Sequence, residues 1–416
     1  MGTEPVGKLL VKLAIPAVTA QLINMLYNIV DRIYIGHMPG NGNLALTGVG
    51  VCMPIIMIVS AFAALISNGG APMASIAMGR KEHDHAEKIL GNCFLLQILI
   101  SVVLTAALLL WNRPLLYTFG ASDNTIGYAV DYMNIYAIGT IFVQLTLGMN
   151  AFITAQGFAK TGMLTVLVGA VCNIVLDPIF IYGLSMGVKG AALATILSQA
   201  ISCLWVLRFL RGKTTLLKLQ KSTIGLSRKM IVPCIMLGMS TFVMQASESV
   251  IAVCFNSSLK HYGGDLAVGA MTILTSVMQF AMLPLQGLGQ GAQPITSYNY
   301  GAKKPDRVRK TYKLLLRVCL TYSVLFWAAV MLMPRVFAGI FTPNPELLDF
   351  TAKVMRIYFG GVVIFGIQMS CQMTFVSIGY AGCSIMVAVM RKFILLLPLI
   401  YLMPHLVDNP TMGVYM

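Results

Sequence analysis

The sequence predicts an all-α polytopic membrane protein of two six-helix lobes related by a parallel repeat, with the last, twelfth helix missing from the chain. Three observations predict it. The 416 residues are 57% hydrophobic and 10% charged, with mean hydropathy +0.81. Soluble chains carry about 25% charged residues, so these charges are too few to solvate a globular surface. From Ile33 to Gly79 there is no Asp, Glu, Lys or Arg, and a bilayer-spanning helix needs ~20 mostly apolar residues. Finally, the chain repeats itself at an offset of 222 residues: Pro72 and Pro294, Gly79 and Gly301, Asp84 and Asp306, Lys88 and Lys310, and Gly157 and Gly379, with Leu44-Ala45 and Leu266-Ala267 in the same register.

The elements follow in order. The first span, 9–36, carries a polar stripe, and 45–72 lies within the charge-free stretch. The joint Gly79-Arg80-Lys81-Glu82 precedes 89–111. Spans 128–155 and 161–183 meet near Gly157, and 190–210 closes the first half. A basic joint from Arg211 to Lys229 leads to 230–256 and 268–292. The joint Gly301 to Lys313 leads to 314–334, 352–378 and 385–406. The expected units are an N-lobe over 1–212, a cytoplasmic linker over 213–229, and a C-lobe over 230–416. Six spans per copy is an even number, so both copies enter the bilayer from the same side, as in a parallel transporter repeat. The partner of the sixth span would begin near Gly413, where the sequence ends. Eleven spans are therefore expected, in a shortened chain whose end at Met416 is extracellular.

Alternating topology sorts the 29 Lys and Arg into 22 on one side, Arg391 and Lys392 among them, and 7 on the other. By the positive-inside rule the larger group, with the N-terminus, is cytoplasmic. The net charge of +15 is mostly this orientation signal, which argues against a nucleic-acid partner. The first apolar segment carries Asn24, Asn28 and Asp31 and no small-residue cleavage site, so a cleavable signal is not expected. Nine scattered Cys form no CxxC pair, and five His show no metal-ligand spacing within a span. No HExxH motif supports an intramembrane enzyme, and no cofactor is expected.

Carboxylates within spans are costly and mark function by default. Three stand out: Asp31, Asp177 and Glu248. Asn173 and Asp177 are spaced i, i+4 and share a helix face. Pro178 removes a backbone donor beside them. Such a group offers oxygens to Na⁺ or a carboxylate to a proton. Gln21, Asn24, Asn28 and Asp31 recur at spacings of 3, 4 and 3, one helical face. Glu248 shares a face with Thr241 and Gln245 and is a candidate for binding a cationic substrate. Asn150, Gln144, Thr154 and Gln279 supply neutral hydrogen bonding. Tyr27, Tyr136, Phe152, Met278 and Met282 offer surfaces to an aromatic cation.

Four segments carry a resemblance. They are Q-P-I-T-S-Y-N-Y-G-A-K-K-P-D-R from Gln293 to Arg307, N-I-V-L-D-P-I-F-I-Y from Asn173 to Tyr182, G-V-K-G-A-A-L-A-T from Gly187 to Thr195, and Y-N-I-V-D-R-I-Y-I-G from Tyr27 to Gly36. Together they resemble the multidrug and toxic compound extrusion (MATE) transporters, above all the bacterial branch that groups with the DNA-damage-inducible type. The resemblance covers essentially the whole chain; the absent twelfth span is its departure. It implies two lobes around a central cavity, rocker-type alternating access, and export of small organic cations from the cell by a monomer in the inner membrane, in exchange for H⁺ or Na⁺. It also implies a cation or proton site in the first lobe at Asp31, Asn173, Asp177 and Thr195. Some relatives place a second acid in the tenth span, where this chain has the neutral Gln368 and Gln372. A flippase for lipid-linked saccharides is the alternative. It would need basic residues inside the spans, and none is expected deep within one.

Overall fold

The computed structural model describes residues 1–40 and 42–415. Within the bilayer every backbone N–H and C=O must be satisfied internally, and among the described residues the chain is helical with no strand. The helices are α1 (Val6–Gly36), α2 (Gly42–Gly79), α3 (His83–Leu110), the short α4 (Asn112–Thr118), α5 (Ile126–Ala155), α6 (Ala159–Gly183) and α7 (Val188–Arg211). After the linker come α8 (Arg228–Gly264), α9 (Leu266–Gly301), α10 (Pro305–Leu332), the short α11 (Pro334–Gly339), α12 (Pro345–Tyr358), α13 (Val362–Ser377), α14 (Ala381–Leu406) and α15 (Pro410–Tyr415). Among the described residues ten helices are long and apolar enough to cross a membrane, and the bent pair α12–α13 makes up to eleven. The helices overrun the apolar windows expected from sequence, because a helix need not stop where the lipid does. Met416, on which the expected extracellular end falls, lies outside the described residues.

The 222-residue offset governs the element boundaries. It relates the ends of α2 and α9, of α3 and α10, and of α5 and α13. It also relates the starts of α3 and α10, α4 and α11, α6 and α14, and α7 and α15. Backbone strain follows the same register: Lys81 and Lys303 have φ 65° and 55°, and Gly157 and Gly379 have φ 95° and 82°. Among the described residues α7 spans 24 residues where α15 spans 6, and one span differs in course. Continuous α5 is matched by α12 and α13, bent by 49°, where Gly360-Gly361 stands opposite Ile138-Gly139 and adjacent glycines weaken the helix.

The lobes meet at the end that bears the start of α1. Glycines let backbones approach there. A Cβ on Gly69 would overlap the Cys234 carbonyl, one on Gly238 that of Leu65, and one on Gly301 that of Ile76. Ser75 Oγ donates to Pro294 O at 3.4 Å. Arg307 Nη2 donates to Glu4 O at 2.6 Å, and Lys304 Nζ to Gly2 O at 2.9 Å. The linker is fastened to the first lobe: Gln156 Oε1 accepts from the Leu216 and Leu217 N–H groups at 2.7 and 3.0 Å. Toward the other end each lobe keeps its own apolar core, one around Ile35, Met133 and Ala192, the other around Phe255, Leu274 and Phe359. The polar contact Gln21–Gln290, at 3.3 Å, marks the midpoint of α1. Beyond it Asn24, Gln245 and Glu248 are exposed, on faces that meet the opposite lobe nearer the closed end. The lobes thus enclose a cleft that opens away from the start of α1.

Candidate functional site

Two charged groups flank this cleft, one in each lobe. In the first lobe, α1 brings Asp31 and α6 brings Asn173 and Asp177 to one buried place; Asp31 is 6% exposed, Asn173 2% and Asp177 0%. Pro178 ends the regular α-helical turns, and a π-helical segment, Ile179–Gly183, follows. Tyr182 in that segment donates to the Tyr34 carbonyl at 2.6 Å, which ties α6 to α1 beside the acids. Asn173 Nδ2 donates to Asp177 Oδ1 at 3.3 Å and to Thr195 Oγ1 of α7 at 3.5 Å. The Asp31 and Asp177 carboxyls lie within hydrogen-bonding reach of each other. Tyr132 of α5, which sequence reasoning missed, reaches Thr195.

Acceptors outnumber donors here. Thr195 Oγ1 already donates to Ala191 O at 3.0 Å. Asp31 Oδ1, Asn173 Oδ1 and Asp177 Oδ2 are buried without a partner. Buried polar atoms are normally satisfied, and each orphan costs about 1–3 kcal/mol. Three orphan oxygens around two contiguous carboxyls call for positive charge, either protons on the carboxyls or a small cation among the oxygens. The donor set is all oxygen, which suits a hard monovalent cation.

In the second lobe Glu248 of α8 forms an ion pair with Lys392 of α14. The Lys392 side chain is 5% exposed and that of Glu248 53%. This corrects two expectations. Arg391 and Lys392 do not belong with the cytoplasmic charges, because they sit near the middle of α14; and basic residues do lie deep within a span. Glu248 therefore has a counterion within the chain, which engages one of its two carboxylate oxygens. A charged dipeptide inside the window 385–406 was the available signal.

The remaining candidates divide. Tyr27 is half-buried and near Asp31. Asn28 donates to its own helix at Asn24 O, 2.6 Å, and Gln21 reaches the other lobe at Gln290. Gln245 and Gln279 are exposed. Asn150 holds α5 to α6 through Gly162 O at 3.2 Å, near the closed end and away from the acids. Met278 packs on the second lobe's core and Met282 on the cluster that joins α1 to that lobe, and both side chains are only partly buried. Phe152 and Tyr136 are buried in the first lobe's cores.

The sequence model described as MatE matches residues 16–179 and 240–402, one block in each half of the repeat. The multidrug export protein MepA of Staphylococcus haemolyticus is 23% identical over 360 residues, covering 86% of this chain and 79% of the relative. MepA of Staphylococcus aureus is 21% identical over 364 residues, covering 88% and 80%. Among solved structures, a MATE protein in the bent conformation superposes with a TM-score of 0.93 at 24% identity, over 99% of this chain and 91% of that one. The outward-facing conformation of a multidrug resistance MATE family transporter of the MOP superfamily gives 0.90 at 24% identity, over 99% and 91%. With the motif blocks matched in both halves and the fold shared along its length, the chain belongs to the MatE family.

Proposed function

We propose that this protein is a secondary active multidrug exporter that extrudes organic cations in exchange for H⁺ or Na⁺. The observation that carries the reading is the buried oxygen cluster of Asp31, Asn173, Asp177 and Thr195, with three acceptors unpartnered. The names of the MepA relatives supply the substrate class. The membrane is the inner membrane of the cell, and the closed end of the cleft, with the N-terminus, faces the cytoplasm, in line with the positive-inside rule. Residues 1–212 and 230–416 are then the two bodies that rock, with 213–229 between them, in a molecule that works as a monomer without cofactor or nucleic acid.

The mechanism follows from linkage. From the outward-open state, H⁺ or Na⁺ reaches Asp31 and Asp177 and neutralises two contiguous carboxyls. That removes the repulsion between α1 and α6 and changes the packing of the first lobe. Exchange is coupled only if ion and substrate bias the two conformations oppositely. Asn24, Tyr27, Asn28 and Gln245 lie along α1 and α8 where a cationic substrate would pass, with Gln21 and Gln279 beside them.

The test is dye export from proteoliposomes that hold the full chain, with a proton or a sodium gradient imposed separately. A cationic dye driven out by one gradient names the ion. Asp177→Asn is expected to reduce gradient-driven export to background while the protein stays monodisperse and folded. Normal coupled export by that variant would overturn the reading.

A further inference from the structure

The second-lobe cluster of Glu248, Arg391 and Lys392 holds one base more than it holds acids. Lys392 is neutralised by Glu248. Its neighbour Arg391 has no acidic hydrogen-bond partner among the described residues. Its Nη1 donates to Gln368 Oε1 at 2.8 Å, and its guanidinium carbon stands 5.4 Å from the centroid of the Phe365 ring. A guanidinium has five N–H donors, so most of this fork is unengaged. An unpaired charge near the middle of a membrane span is expensive, and such residues face a lobe interior or a water-filled cavity. Arg391 does so: its partners, Gln368 and Phe365, lie on α13 of the same lobe.

We propose that this cluster is a receptor for the carboxylate of an organic zwitterion, with Arg391 as the residue that contacts it. Three points favour that ligand. The surplus is one positive charge, which one carboxylate cancels. A phosphate monoester would bring about −1.5 to −2 and set excess negative charge against Glu248. The planar fork of an arginine matches a carboxylate bidentately. The ammonium end of the same molecule finds Glu248, whose side chain is 53% exposed and whose second oxygen is not engaged by Lys392. Phe365 holds the guanidinium plane in place while the ligand is absent. The inference rests on the export reading for the direction in which the ligand moves, and not for its binding.

The test uses the full chain in detergent and two dyes that differ by one group: tetramethylrhodamine, with a free carboxylate, and its methyl ester, a plain cation. Binding is read by fluorescence anisotropy at neutral pH. The wild type is expected to bind both. Arg391→Gln is expected to weaken the free acid at least tenfold and the ester less than twofold; Arg391→Lys is expected to recover part of the loss. Retained ester binding shows that the variant is folded. Equal losses for both dyes, no loss for either, or a wild type that does not bind the acid would each overturn the proposal. Gradient-driven ester export, measured separately, reports on the export reading alone.

Discussion

The two lobes descend from one repeat, yet they handle buried charge in opposite ways. In the first, α1 and α6 bring together two buried acids, neither in an ion pair among the described residues. In the second, the equivalent helices α8 and α14 bring together one acid and two bases, Lys392 paired with Glu248 and Arg391 beside it. The acids of the first have no ion-pair partner among the described residues; the acid of the second has one fixed to the chain. The difference teaches that a duplicated scaffold can keep helix boundaries in register while its halves surround buried charge differently, one with acids alone and one with an acid and bases. A transporter that couples two solutes needs that asymmetry, because two identical lobes would respond to the ion alike.

The comparison breaks most visibly in transport. Asp31→Asn and Asp177→Asn are each expected to abolish gradient-driven export, whereas removal of the Glu248 charge leaves the coupling site untouched. Glu248→Gln acts on stability. It leaves the Lys392 ammonium buried without a counter-charge, and breaking a buried pair typically costs ~3–5 kcal/mol. The loss should fall near the low end because Glu248 is half exposed. Thermal unfolding in detergent reads it, and the double variant Glu248→Leu with Lys392→Met should recover most of it; if the single variant melts with the wild type, the buried-pair description of this lobe fails. The smallest effect is expected at Thr195→Ala. It removes one oxygen from the first-lobe cluster, worth about 1 kcal/mol, and should raise the ion concentration for half-maximal export a few-fold, with Thr195→Ser close to wild type.

The spans, the repeat and the acids were legible because each is written locally or at one fixed offset. Periodicity placed Asn173 and Asp177 on one face, and the offset marked helix boundaries as far as Pro410, where α15 begins in register with α7. The pair Glu248–Lys392 was not legible. Its members lie 144 residues apart, and no periodicity connects them. Reading Arg391-Lys392 as a joint also followed the general preference of basic residues for the membrane edge. Nor were the surroundings of Met278 and Met282 legible. A helical face is visible in sequence, but what lies opposite it depends on tertiary packing, and both face apolar clusters. Tyr132 was hidden beside Asp131, which forms an outer ion pair with Lys189 at 3.5 Å and drew the eye to the surface.

The grip of Lys304 and Arg307 on the first residues has a consequence for biosynthesis. The carbonyls of Gly2 and Glu4 wait for partners 302 and 303 residues downstream. The leading segment therefore leaves the ribosome early and stays unanchored until α10 is made and inserted. During that interval the closed end of the cleft cannot seal. The seal is set late, after both lobes are in the bilayer, and a bulky fusion placed ahead of Gly2 would have to be accommodated at that last step of assembly.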